Sequence, residues 1–312
     1  MTAIITAPRI DEVKEVHAHF LTSERDVNST GALRIHSAVS EAYLKNKFDE
    51  LPQSRQERDE RELSGGWNGL ETSAYHIDNE DGVHTVFVTP MRYFFREAYA
   101  GIDQPNLELK SEMCPWLLHT SMLIPATNGG SYGLLSQIKA KDTLGGGAIL
   151  VAAAAGGVKP GNFAVSQHPL REGLRMECSE EIGLDSESIE KTPFLYRVND
   201  PNAGTINFSA VKRGVSQLDD LLHAYQSYAK SLPDGKNPEV AGFAFMPFAD
   251  RGFDFGNLLC YSFSSGGEME AYRGQVGTGD NVEMKIRPWT GIFHDYFQQE
   301  GKIRQFMDAV ES

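Results

Sequence analysis

The stretch Arg171-Glu172-Gly173-Leu174-Arg175-Met176-Glu177-Cys178-Ser179-Glu180-Glu181-Ile182-Gly183-Leu184 organises the reading of the whole chain. At about 100° of turn per residue, Leu170, Leu174, Cys178 and Ile182 form one apolar stripe, and Glu177, Glu180 and Glu181 fall in an adjoining arc. The spacing predicts a helix from about His168 to Ile182, with Pro169 in its first turn and Gly183 as a left-handed cap. Three carboxylates on one edge of a helix that buries its other face repel one another. Either water screens them or a cation sits among them. Glutamate is also simply a good helix former, and on that plainer reading the edge is only solvated.

The segments on either side predict a mixed α and β fold. Upstream, Leu144 to Ala155 reads as glycine followed by a buried-type strand, and Gly156-Gly157-Val158-Lys159-Pro160-Gly161 as a loop leading to the helix. Further upstream, Leu117–Pro125 and Tyr132–Ile138 flank Thr127-Asn128-Gly129-Gly130, a hairpin signal. A second hairpin is expected from Glu71–Ile77 and Val83–Thr89 around Asp78 to Gly82. Downstream, Phe194–Val198, Thr205–Val211 and Val240–Phe248 read as strands and Gln217–Ser231 as a helix. Trp289 to Val310 reads as one amphipathic helix whose aromatic stripe belongs to the core. Near the N-terminus a helix is expected over Val39–Leu51, stopped by Pro52, then a charged connector, Gln53–Glu62.

Composition narrows the function classes. The chain has 312 residues, with 43 acidic against 29 basic side chains and a net charge of -14. That balance argues against a coat for DNA, RNA or an anionic membrane, which needs a basic face. A small anionic ligand stays open if a cation supplies the positive charge. The longest apolar run, Ala148–Ala155, is strand-sized, far short of the roughly 20 residues that span a bilayer. The N-terminus lacks the pattern of a secretory signal. Cys114, Cys178 and Cys260 have neither disulfide nor zinc spacing, so a reducing cytoplasm is the expected compartment.

Met176-Glu177-Cys178-Ser179-Glu180-Glu181-Ile182-Gly183-Leu184 resembles the second half of the signature of the Nudix hydrolases, R-E-U-x-E-E-x-G-U with U apolar, save that Met176 stands at the arginine. The resemblance implies a Nudix-like α/β/α sandwich with a mixed sheet over residues 111–312, preceded by an α+β extension over residues 1–110. It implies Glu177, Glu180 and Glu181 as ligands of magnesium, or of manganese, with Glu177 and Glu181, one turn apart, as the principal ligands and Glu180 as ligand or as base for an attacking water. It implies Gly156, Gly157 and Gly161 as shapers of the adjoining loop. The counterpart of the family's loop glutamate is missing, since Asn162 follows Pro160-Gly161, and about six extra residues separate loop and helix.

A narrower likeness runs from about Trp67 to Phe248. Trp67-Asn68-Gly69-Leu70, the glutamate box, Phe194-Leu195-Tyr196-Arg197-Val198, Gly204–Ala210 and Pro238-Glu239-Val240-Ala241-Gly242-Phe243-Ala244-Phe245 stand in the order seen in an atypical Nudix subgroup active on UDP-glucose and UDP-galactose. It implies a hydrolase that splits a nucleoside diphosphate sugar into a nucleoside monophosphate and a sugar phosphate. The alternative is a Nudix-like nucleotide-binding or sensor module with little or no turnover.

Other residues are weighed beside this box. Lys159 and Arg197 are candidate phosphate-binding cations, or else partners in structural ion pairs. Glu239 is a candidate distant base, His168 a phosphate contact or a helix cap. Gly145-Gly146-Gly147 lacks the Gly-Lys-Ser/Thr of a phosphate loop, so strand-edge packing suits it better. No GxSxG elbow, HxH or HExxH is present. The expected partner is a small nucleotide, with no nucleic acid and no membrane, and with a homodimer possible through the N-terminal region.

Overall fold

The computed structural model describes residues 8–20, 70–92, 116–140, 147–184, 186–200, 204–232, 239–264, 268–276 and 282–312. The expected Val39–Leu51 helix, the Gln53–Glu62 connector, Gly65 to Gly69, the Met113-Cys114-Pro115 segment, Gly145-Gly146 and Pro238 lie outside these residues. The fold is mixed α and β. The chain divides into two compact units, one of Met1–Thr120, Gly157–Gly173 and Asn199–Phe208, the other of Ser121–Gly156, Leu174–Val198 and Ser209–Ser312.

In the first unit, β1 (Arg9–Glu12) and β2 (Glu15–Phe20) precede a hairpin of β3 (Leu70–Glu80) and β4 (Val83–Arg92). The turn is tighter than the expected Asp78 to Gly82: Asp81 and Gly82 alone form it, both at positive φ, which matches the right-handed twist of the strands. Alternation along β4 buries His84, Val86 and Val88. β2 runs parallel to β4, and β3 pairs through Ser73 and Ala74 with the first residues of β5 (Trp116–Asn128). Val158 is fixed between these strands, its carbonyl accepting from Thr72 N–H and its own N–H donating to Leu118 O.

In the second unit, β5 turns at Gly129-Gly130 into β6 (Ser131–Lys139), the antiparallel hairpin expected from Asn128-Gly129-Gly130. β7 (Ala148–Leu150) pairs with β6. The strand expected after the glycines, over Ala148 to Ala155, is broken: Val151 to Ala153 bend away, and β8 (Ala154–Gly157) follows as a separate strand. The cause is tertiary. The Thr290 hydroxyl accepts from Val151 N–H and donates to Ile149 O, while Ala152 O is taken by Gln137 N–H.

A short helix α1 (Pro160–Val165) occupies the second half of the expected glycine loop. α2 (Pro169–Ile182) follows, with the predicted bounds. Leu170, Leu174, Cys178 and Ile182 are all buried, so the predicted stripe faces the core. Gly183 caps the helix at φ 68°, and Leu184 N–H reaches back to Cys178 O.

After α3 (Ser186–Glu190) come β9 (Phe194–Asp200), β10 (Thr205–Val211) and the two-residue β11 (Ser216–Gln217), which runs parallel to β5. Then follow α4 (Leu218–Ser231), β12 (Val240–Pro247), β13 (Leu258–Phe263), β14 (Met269–Gln275), β15 (Val282–Glu283) and β16 (Lys285–Ile286). The strand order β10-β5-β6-β12-β13-β14-β15 carries β16 on β7, and parallel pairs at β11, β15 and β16 make the sheet mixed.

The C-terminal segment is two helices where one was expected, α5 (Pro288–Gln298) and α6 (Lys302–Glu311). Gly301, at φ 76°, makes the break. The apolar spacing continues through it because both helices bury aromatic faces in one cluster, with Phe297 and Phe306 edge to face at 5.4 Å.

Among the described residues no helix is long and apolar enough to cross a membrane. Cys178 and Cys260 are free and buried; Cys114 lies outside the described residues.

Candidate functional site

The three glutamates of α2 do not share one environment. Helical spacing sets Glu177 at the half-buried margin, Glu180 on the exposed side and Glu181 inward, where it is 2% exposed. A lone buried carboxylate is costly unless paired. Glu181 is paired twice: Lys139 Nζ donates to its Oε1 at 2.5 Å, and Ala155 N–H donates to its Oε2 at 2.8 Å. Burial pushes its carboxyl above the ordinary range, against the opposing pull of Lys139 and of the Ala155 N–H. Burial, with the Glu181 and Glu177 carboxylates adding to it, pushes the Cys178 thiol far up, so that side chain is an inert part of the core.

Lys139 ends β6, one residue beyond the strand read from the sequence, and strand alternation puts it on the same face as Leu135 and Gln137. Glu239 approaches Lys139 Nζ from the other side at 3.9 Å, with its own side chain more than half exposed. Glu239, singled out in the sequence as a distant base, is thus brought to the same lysine as Glu181. Lys139 itself was missed. A lysine closing an otherwise apolar strand is an ordinary edge residue, and nothing in the sequence joins it to a helix 42 residues later.

Gly156 lies in β8 directly after the Ala155 that Glu181 holds. The carboxyl of Glu177 fills the space where a Cβ on residue 156 would stand. A side chain there would have to push the Glu177 carboxyl aside. Gly161 is different: a Cβ there meets nothing within 4 Å, so the structure gives no steric reason for that glycine.

Gly157, Lys159 and Gly161 belong to the first unit. Lys159 is exposed at the start of α1, and its backbone N–H donates to the buried Asn162 Oδ1 at 2.6 Å. Asn162, at the place of the missing loop glutamate, thus caps α1. His168 does likewise at the next helix: its N–H donates to Ser166 Oγ and its carbonyl accepts from Glu172 N–H. Arg197 is in the second unit, buried on β9 at 3% exposure.

The far end of α2 is held by α4. The Tyr228 hydroxyl donates to Glu180 O, and the Tyr228 ring covers Gly183 so closely that a side chain there would collide with it. The C-terminal turn of the helix that bears the carboxylates is therefore tied down, by Lys139 and the Ala155 N–H through Glu181 and by Tyr228 through Glu180 O.

Among the described residues no group of three or more His, Cys, Asp or Glu side chains is placed to hold a metal ion together. A pair of carboxylates is a smaller requirement, and Glu177 and Glu180, three residues apart, lie on neighbouring positions of one helix face. No family model matches the chain, and no curated protein matches it significantly.

Proposed function

We propose that the chain is a divalent-metal-dependent hydrolase that cleaves the diphosphate of a nucleoside diphosphate sugar such as UDP-glucose, releasing a nucleoside monophosphate and a sugar phosphate, on a Nudix-like scaffold. The observation that carries the reading is the seat of Glu177 against Gly156. A carboxylate lying on a glycine backbone, at the edge of a helix whose last turn is tied to the sheet and to α4, has a seat that solubility alone does not call for.

The donor set is of carboxylate oxygens, which suits a hard ion. Magnesium is commonly held by one or two carboxylates, with waters and substrate phosphates completing its shell, so Glu177 and Glu180 would suffice; manganese is the alternative. When bound, such an ion neutralises charge that gathers on the phosphate oxygens as the diphosphate is cleaved. Glu177 and Glu180 supply the negative charge that recruits it and orient it on the helix edge. Glu181 secures that edge to the sheet, through Lys139 and the Ala155 N–H.

The test is a screen of nucleotide sugars, ADP-ribose, dinucleotides and nucleoside triphosphates with magnesium, reading the phosphate products. Turnover of nucleotide sugars to a monophosphate and a sugar phosphate is expected. Absence of turnover across the whole panel would overturn the reading in favour of a nucleotide-binding module.

A further inference from the structure

We infer that Lys139 is a positioning residue for Glu177, acting through Glu181 and the Ala155-Gly156 backbone. The inference rests on the metal-binding part of the function proposed above. The order of contacts supports it. Lys139 Nζ holds Glu181 Oε1, Glu181 Oε2 holds Ala155 N–H, and the next residue, Gly156, is the surface on which the Glu177 carboxyl lies. Glu177 and Glu181 are one helical turn apart on α2. Through Glu181, one lysine is therefore linked to both elements that Glu177 meets, the helix and the strand backbone.

The alternative is a plain structural ion pair. A buried pair is weak support for stability, since apolar replacements of like volume often do as well, whereas orienting a neighbouring ligand is a role such replacements cannot fill. Two features favour orientation. Both Glu181 oxygens are spent on different elements, Oε1 on β6 and Oε2 on the strand that carries Gly156. Lys139 also faces a second carboxylate, Glu239, so its ammonium is held from two sides at the end of β6. The second oxygen of a buried carboxylate needs a donor in either role; what points to orientation is that this donor stands directly beside the glycine on which Glu177 lies.

Loss of a group that orients a metal ligand typically weakens metal binding about 10–100-fold. The test is manganese binding, followed by electron paramagnetic resonance of the free ion, for the wild type, Lys139→Met, Lys139→Arg and the double variant Lys139→Met/Glu181→Gln, with thermal unfolding of each. We expect Lys139→Met to bind manganese about 10–100-fold more weakly and Lys139→Arg to restore binding to near the wild-type level. The double variant, which leaves no unpaired buried charge, should regain the thermal stability that Lys139→Met loses while still binding weakly. Should Lys139→Met not fold, the double variant carries the same comparison.

Wild-type affinity in Lys139→Met, recovery of affinity together with stability in the double variant, failure of arginine to restore binding, or no manganese binding by the wild type would each overturn the inference. Turnover is read on the same samples. Lys139-dependent manganese binding without hydrolysis of any nucleotide would overturn the hydrolase reading alone.

Discussion

The carboxyl of Glu177 occupies the space in which residue 156 would carry its Cβ, and residue 156 is glycine. A side chain at 156 and the Glu177 carboxyl in this seat exclude each other, and the carboxyl, as the end of a flexible side chain, is the group that gives. Gly156→Ala should therefore displace the Glu177 carboxyl into another rotamer at a cost of about 0.5–1.5 kcal/mol. Chemical denaturation gives the stability change, and manganese affinity should fall with it. An alanine variant with native stability and native metal binding would show that the carboxyl has other room.

Gly183 and Tyr228 form a second such pair at the end of α2. Gly183→Ala must place a side chain at φ 68° against the Tyr228 ring, and strain of this kind costs about 1–3 kcal/mol. Tyr228→Phe keeps the ring and removes only the hydrogen bond to Glu180 O, which is worth about 1 kcal/mol. The expected order of melting temperatures is wild type, Tyr228→Phe, Gly183→Ala, from highest to lowest.

Much of this helix was legible in its sequence because each signal was local. Leu170, Leu174, Cys178 and Ile182 give the period, Pro169 the start and Gly183 the stop, and all three survive in the structure. The hairpin at Gly129-Gly130 was equally local. What failed depended on distant partners. The apolar run from Ala148 to Ala155 carries no sign that Thr290, 139 residues from Val151, will interrupt it. The break at Gly301 was hidden because both C-terminal helices bury aromatic side chains in register with a single helix. In the site, three glutamates were visible as a group, but their different fates were not. That Lys139 and the Ala155 N–H wait where helical spacing turns Glu181 inward depends on distant residues.

Gln137 is wholly buried on β6, and among the described residues neither its amide nitrogen nor its amide oxygen has a hydrogen-bond partner. A buried polar group in that state costs about 1–3 kcal/mol. Gln137→Met, of similar length and without the amide, is expected to raise stability by about 1 kcal/mol or more. Urea unfolding at constant slope measures it, and a destabilised variant would mean that the amide is satisfied in solution.

His294 predicts an acid-side loss of stability. Its Nδ1 accepts from Phe253 N–H at 3.0 Å, which requires the neutral ring, and burial holds its pKa below the ordinary 6.5, with Asp295 opposing. A pKa lower in the folded than in the unfolded chain means that the unfolded chain binds more protons, so stability rises with pH through this window. The contribution of His294 is present above pH 6.5 and is lost as pH falls through the folded-state value. On going from about pH 7.5 to about pH 5, wild type should lose more stability than His294→Gln. Parallel pH profiles in the two proteins would remove His294 as the cause.

The most direct measurement is release of the nucleoside monophosphate from UDP-glucose in the presence of magnesium, by the wild type and by Glu177→Gln, with circular dichroism to establish that both are folded. Expected is turnover that requires magnesium in the wild type and falls to background in the folded variant. Equal turnover in the two proteins, or none from the wild type on any nucleotide sugar, would contradict the assignment of this helix edge to diphosphate hydrolysis.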